Sequence, residues 1–212
     1  GVTGAGVIVA VIDSGIRPGF PHLSLDGSVI GCEDFVGDAL GCSNFANGGH
    51  GTFVAGMISA NVNFSFSTAS PFRNAVLAEC PACFADPPAN TQIPMIGTAP
   101  LSSIYALRVF APTGGAPTSR ILAAVERVID LRQRHDAGLP GGVKIEIVNM
   151  SLGGSTVFAG RDLFDTVVDM LLTTGIVPVV SAGNAGPSSM TVGSPGTSVN
   201  AITVGAASLA HN

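Results

Sequence analysis

Charge is scarce in this chain. Only 11 % of its 212 residues are Asp, Glu, Lys or Arg, against about 25 % in an average globular protein. The net charge is −5 and Lys and Arg form no run, which excludes the basic surface that a nucleic-acid partner requires. Long apolar stretches are missing too. The run 7–12 is far short of the roughly 20 residues that cross a bilayer, so the positive mean hydropathy does not indicate a membrane span. No signal peptide is visible, because residue 1 enters directly on a glycine-rich turn; a removed leader or a longer parent chain is the expectation. Internal repeats and low-complexity segments are absent.

What is present is a core and many turns. Hydrophobic residues make up 46 %, which argues against disorder, and 212 residues suit one domain or a large piece of one. The chain carries 28 glycines and 14 prolines. Four cysteines stand at 32, 42, 80 and 83. An even count in a low-charge chain suits two disulfides formed in an oxidising compartment. Proximity favours Cys32–Cys42 and Cys80–Cys83, although four cysteines allow three pairings. The Cys80-Pro-Ala-Cys83 stretch also has the spacing of a thioredoxin-type redox motif or half a zinc site. It lies in a proline-rich loop with no second pair of ligands nearby, so the structural disulfide is the better account.

Periodicity lays out alternating elements. Residues 7–12, 103–110, 144–150, 176–181 and 201–204 are predicted strands, the first a β-branched apolar run buried on both faces. Helices are predicted from Gly51 to about Asn61, from Ser119 towards Gly138-Leu139-Pro140, and around Leu163–Leu172, closed by Gly175. Such alternation implies an α/β fold of three layers, a mostly parallel sheet flanked by helices, with the site beyond the C-terminal ends of the strands. The stretch 61–96 is the least regular and is expected to be a long insertion.

Three segments carry chemistry. Asp13, in Val-Ile-Asp-Ser-Gly, ends a buried strand, where a carboxylate is rigid and shielded as the partner of a histidine must be. His50, in Gly-His-Gly-Thr-Phe-Val-Ala-Gly, stands at the mouth of a helix of small residues, the fixed and partly open position a general base needs. His22, His135 and His211 have no such setting. Asn184, in Ser-Ala-Gly-Asn-Ala-Gly-Pro, follows a strand in a tight glycine turn, where its amide can donate to a developing oxyanion or simply supply turn geometry. A dinucleotide site built on Gly1, Gly4 and Gly6 fails, since those glycines precede the first strand and are wrongly spaced.

These segments, with Asn-Met-Ser-Leu-Gly-Gly at 149–154, resemble the signature blocks of the subtilisin-like serine proteases and stand in that family's order. The resemblance covers nearly all of 1–212, apart from 61–96 and parts of 28–46, and implies a partial peptidase domain. It implies that Asp13 supports His50, that His50 is the general base and that Asn184 is the oxyanion donor. Ser151, Leu152 and Gly153 would wall the pocket before the scissile bond, and Gly114, Gly115 and Ala116 would pair with the substrate as an added strand. It further implies a secreted endopeptidase acting on polypeptides without a cofactor, with a propeptide or a protein inhibitor as a further partner of the cleft. The rival is a secreted relative that binds peptides and has lost catalysis.

The pattern also departs from the family. Its serine block lies well downstream of the oxyanion asparagine, whereas the Gly196-Thr197-Ser198 of this chain comes 14 residues after Asn184 and runs into a strand. Ser198 is therefore not expected to be the nucleophile, and residues 1–212 hold two of three triad members. Phe53 replaces a frequent histidine without touching the base. No metal site is expected: His22 stands where many members carry a calcium-binding aspartate, and the insertion replaces their short calcium loop. Glu33, Asp34 and Asp38 could serve only a different structural calcium site. Asn63-Phe-Ser and Asn149-Met-Ser match the glycosylation sequon, the second by coincidence.

Overall fold

The computed structural model describes residues 2–17, 25, 27–42, 49–81 and 90–207. Six strands form one sheet in the order β2 (Val29–Asp34), β5 (Ser103–Arg108), β1 (Ile8–Asp13), β6 (Ile145–Met150), β7 (Val177–Ser181) and β8 (Ile202–Val204). Every pairing in it is parallel. Side chains alternate across β1, as the pleat requires. Ala10 and Ile12 join the core under α3 (Thr118–Asp136) and α4 (Leu163–Thr173). Val9 and Val11 face the opposite layer, with Ala55 of α1 (His50–Ser59). This is the three-layer α/β arrangement expected. The strand order reverses around β1, and the crevice beyond its C-terminal end is where such sheets bind ligands.

Local signals explain the element ends. At the end of α4 the amide of Gly175 donates to Leu172 O and that of Ile176 to Leu171 O, both at 3.0 Å. That Schellman pattern needs the left-handed φ of 75° that Gly175 supplies. Its start is capped by Asp162, whose carboxylate accepts from the Asp165 amide.

The stretch 61–96 differs from expectation. Among its described residues it holds β3 (Asn61–Ser67), α2 (Pro71–Glu79) and β4 (Asn90–Ile96), with β3 and β4 antiparallel. Arg73 of α2 is buried and donates to Thr91 Oγ1 at 2.7 Å. At its base the Gly97 amide donates to Ala60 O at 2.7 Å and that of Ala99 to Ile58 O at 2.8 Å, so the two ends meet. Edge strand β2 is a further element the pattern did not reveal.

The Cys32–Cys42 disulfide is present. The Cys80–Cys83 pairing, His22 and His211 involve positions outside the described residues. The disulfide loop surrounds a buried cation. Arg108, at the end of β5, is fully buried and donates to both oxygens of Asp38 at 2.7 Å and to Asp34 Oδ1 at 3.1 Å. Glu33 accepts from Arg127 at 2.9 Å and from the Tyr105 hydroxyl at 2.6 Å. The three acidic groups at 33, 34 and 38 are thus engaged by guanidinium groups. Among the described residues no group of three His, Cys, Asp or Glu side chains could hold a metal ion.

The Arg108 guanidinium lowers the Asp38 pKa from 3.8 to about 2. A carboxyl whose folded pKa lies below its unfolded value contributes stability above the unfolded pKa and loses it as pH falls through the folded one. Urea midpoints should therefore decline as pH drops from 3.8 towards about 2, and Asp38→Asn should flatten that decline. An unchanged pH profile in the variant would refute the assignment.

Candidate active site

Asp13 closes β1 with its side chain only 1 % exposed, and His50, the first residue of α1, has half of its side chain in solvent. His50 Nδ1 lies 2.8 Å from Asp13 Oδ1 and 3.0 Å from Oδ2. A carboxylate can only accept, so Nδ1 carries a proton, and in the neutral ring Nε2 then keeps its lone pair. This pair can orient an imidazole and stabilise its charged form, as a general base requires.

Backbone contacts hold the pair in place. The Ser14 amide donates to Asp13 Oδ1 at 2.6 Å. The Gly51 amide, next to His50, donates to the buried Ser14 Oγ at 3.0 Å, and the Arg17 amide reaches Thr52 Oγ1 at 3.1 Å. The first turn of α1 is thereby fastened to the segment following Asp13. No side chain fits between them: a Cβ on Gly51 would lie 2.4 Å from Gly15 O and 3.1 Å from the Asp13 side chain. Ser14 and Thr52 were not singled out from sequence. Their role depends on contacts across 35 or more residues that no local pattern reveals.

The other expected residues line hollows that run on from this pair. Asp13, His50, Gly114, Gly115 and Ser151 border one of about 270 Å³. Ser151 also borders a second, of about 430 Å³, with Leu152, Gly153 and Asn184. Gly153 leads into a third, of about 380 Å³, with Ala116, Ile121 and Phe164. Asn184 is exposed and its side chain has no hydrogen-bond partner among the described residues, so its amide is free to meet a ligand. Asp162 also borders the third hollow. Burial works against its charge, but the Asp165 amide and the Thr156 and Ser194 hydroxyls outweigh this and hold its carboxyl below the usual range.

Two other positions lie away from this chemistry. Ser198 is buried, and its hydroxyl donates to Asp169 of α4; it borders none of the three hollows. Asn149 lies in β6, paired with β1 and β7 on either side, and its amide donates to Ser151 Oγ at 3.1 Å.

The family model described as the subtilase family matches residues 4–212. Serine protease AprX of Bacillus subtilis (strain 168) is 31 % identical over 208 residues, which cover 97 % of this chain and 39 % of AprX. The minor extracellular protease Vpr of the same strain is 31 % identical, covering 100 % of this chain and 22 % of its own. A subtilisin of Bacillus pumilus is 33 % identical over 214 residues, covering 100 % and 60 %. Among solved structures, sphericase superposes with a TM-score of 0.65 at 27 % identity, covering 95 % of this chain and 54 % of its own. The S41 psychrophilic protease gives 0.66 at 28 %, covering 95 % and 53 %. The chain thus spans 22–60 % of the length of these curated relatives.

Proposed function

The chain belongs to the subtilase family, and from that premise we propose that the complete protein is a secreted serine endopeptidase working through an acyl-enzyme. One observation carries this reading: His50 is held by both oxygens of a buried Asp13 while its ring borders an open hollow. In the reaction a serine hydroxyl adds to the scissile carbonyl as His50 Nε2 takes its proton. His50 then returns that proton to the leaving amine, and water repeats the cycle on the ester. Asp13 stays ionised and holds the imidazolium that forms.

Asn184 donates to the oxyanion. Losing one such donor lowers turnover about 10²–10³-fold, a size taken from a subtilisin rather than derived from this geometry. Gly114, Gly115 and Ala116 pair with the substrate backbone, and Ser151, Leu152 and Gly153 form the wall of its pocket. No cofactor takes part. A propeptide or a protein inhibitor binds the same cleft. The disulfide and the extracellular character named for Vpr support an oxidising compartment.

The nucleophile in this reading is a serine outside residues 1–212. Treating the complete protein with a fluorophosphonate and mapping the adduct should find one labelled serine, not Ser198, with Ser198→Ala labelled as before. Residues 1–212 alone should be neither labelled nor active. Label on Ser198 would overturn the nucleophile assignment. Peptide binding with no label anywhere would favour the non-catalytic relative.

A further inference from the structure

Asp165 lies in the first turn of α4, fully buried, and no cation pairs with it among the described residues. An unpaired buried carboxylate is costly unless its lone pairs are filled. Here they are filled from three places. Gly160 donates its amide to Oδ2 at 2.8 Å, and the Thr197 hydroxyl reaches Oδ1 and Oδ2 at 3.0 and 2.9 Å. The Ser194 hydroxyl lies 3.0 Å from Asp165 Oδ1 and 2.8 Å from Asp162 Oδ1.

The segment so fastened separates the two larger hollows. Gly193 borders one and Ser194 the other. Ser194 and Gly154 exchange both backbone hydrogen bonds at 2.9 Å, joining this turn to the wall at 153–155. Gly193 N donates to Ala182 O at 3.3 Å, joining it to the side that carries Asn184. The contact is close, since a Cβ on Gly193 would meet Gly154 O at 2.3 Å.

Resting on the peptidase reading, we propose that Asp165 is a positioning residue: through Ser194 and Thr197 it holds the turn that sets the spacing of the two cleft walls and so governs use of the third hollow, the one away from His50. A carboxylate suits this task because it accepts several charge-assisted bonds at once from separate segments. Favourable placement at a helix N-terminus accounts for its charge but not for the two separate segments, Gly160 and the turn 194–197, that converge on it.

In the complete protein, Asp165→Asn keeps the size of the side chain and replaces one acceptor by a donor. The ratio of kcat/KM for a blocked tetrapeptide amide over that for a blocked single-residue ester should fall about tenfold, mostly through KM, because only the longer substrate reaches the third hollow. Equal losses on the two substrates, as a purely helix-stabilising role gives, would overturn the proposal. Should Asp165→Asn fail to fold, Thr197→Val removes one donor and must show the same bias in the same direction; no bias there is equally fatal.

A second readout does not depend on catalysis. Hydrogen exchange at the Gly154 and Ser194 amides should quicken in Asp165→Asn, and unchanged exchange would refute the role. A wild-type protein that cleaves neither substrate overturns the peptidase reading instead, and the exchange result then decides the positioning role by itself.

Discussion

His50→Ala in the complete protein should lower kcat by about 10⁴–10⁶-fold while the fold survives, since general-base help alone contributes up to about 10⁴ and the members of such a triad act as a unit, so that losing one costs about as much as losing all. The histidine side chain is half exposed, so its removal opens no core cavity. Its partner Asp13 retains the Ser14 amide and is not left wholly bare. Circular dichroism and the thermal midpoint should therefore stay near wild type as turnover disappears. Turnover within tenfold of wild type in a folded variant would sink the triad assignment.

Gly51→Ala should also lower kcat, by about 100-fold, for a different reason. The added methyl has to occupy space 2.4 Å from Gly15 O, and a backbone carbonyl cannot rotate away as the end of a flexible side chain can. Either α1 or the segment 13–15 must move, at a cost of about 1–3 kcal/mol of the kind overpacked cores show. Either movement changes the His50–Asp13 contact. A shift of about 1 Å in a reacting group costs about 100-fold, so the variant should lose kcat far beyond its loss of stability. Measuring kcat beside the urea midpoint separates the two effects. Wild-type kcat would show that the close approach of helix and strand does not position the base.

Much of this architecture is legible in the residues. Five predicted strands match β1, β5, β6, β7 and β8 to within two residues, because short, mostly apolar runs closed by turn residues have few other ways to fold. The helices are equally plain where apolar residues recur at helical spacing, as Ile121, Val125 and Val128 do. The stretch 61–96 is harder to read, because its prolines and cysteines interrupt any long periodic run. Yet Val62, Phe64 and Phe66 alternate with Asn and Ser, a period of two that marks a strand, and Ser70-Pro71 is a helix start. The site blocks stand out because glycines flank each functional residue. Arg108 and Asp165 do not. Most of their partners lie 29–74 residues distant, and local sequence holds no trace of those.

The closed base of the segment 61–96 has a consequence for how this chain can vary. Residues 61–96 leave α1 and return beside it, where Gly97 lies so close that a Cβ there would meet Ile58 O at 2.5 Å. His50 stands at the opposite end of that helix. Changes of length between those two points should therefore be taken up at a seam about 14 Å along the helix axis from His50, leaving the His50–Asp13 contact as it is.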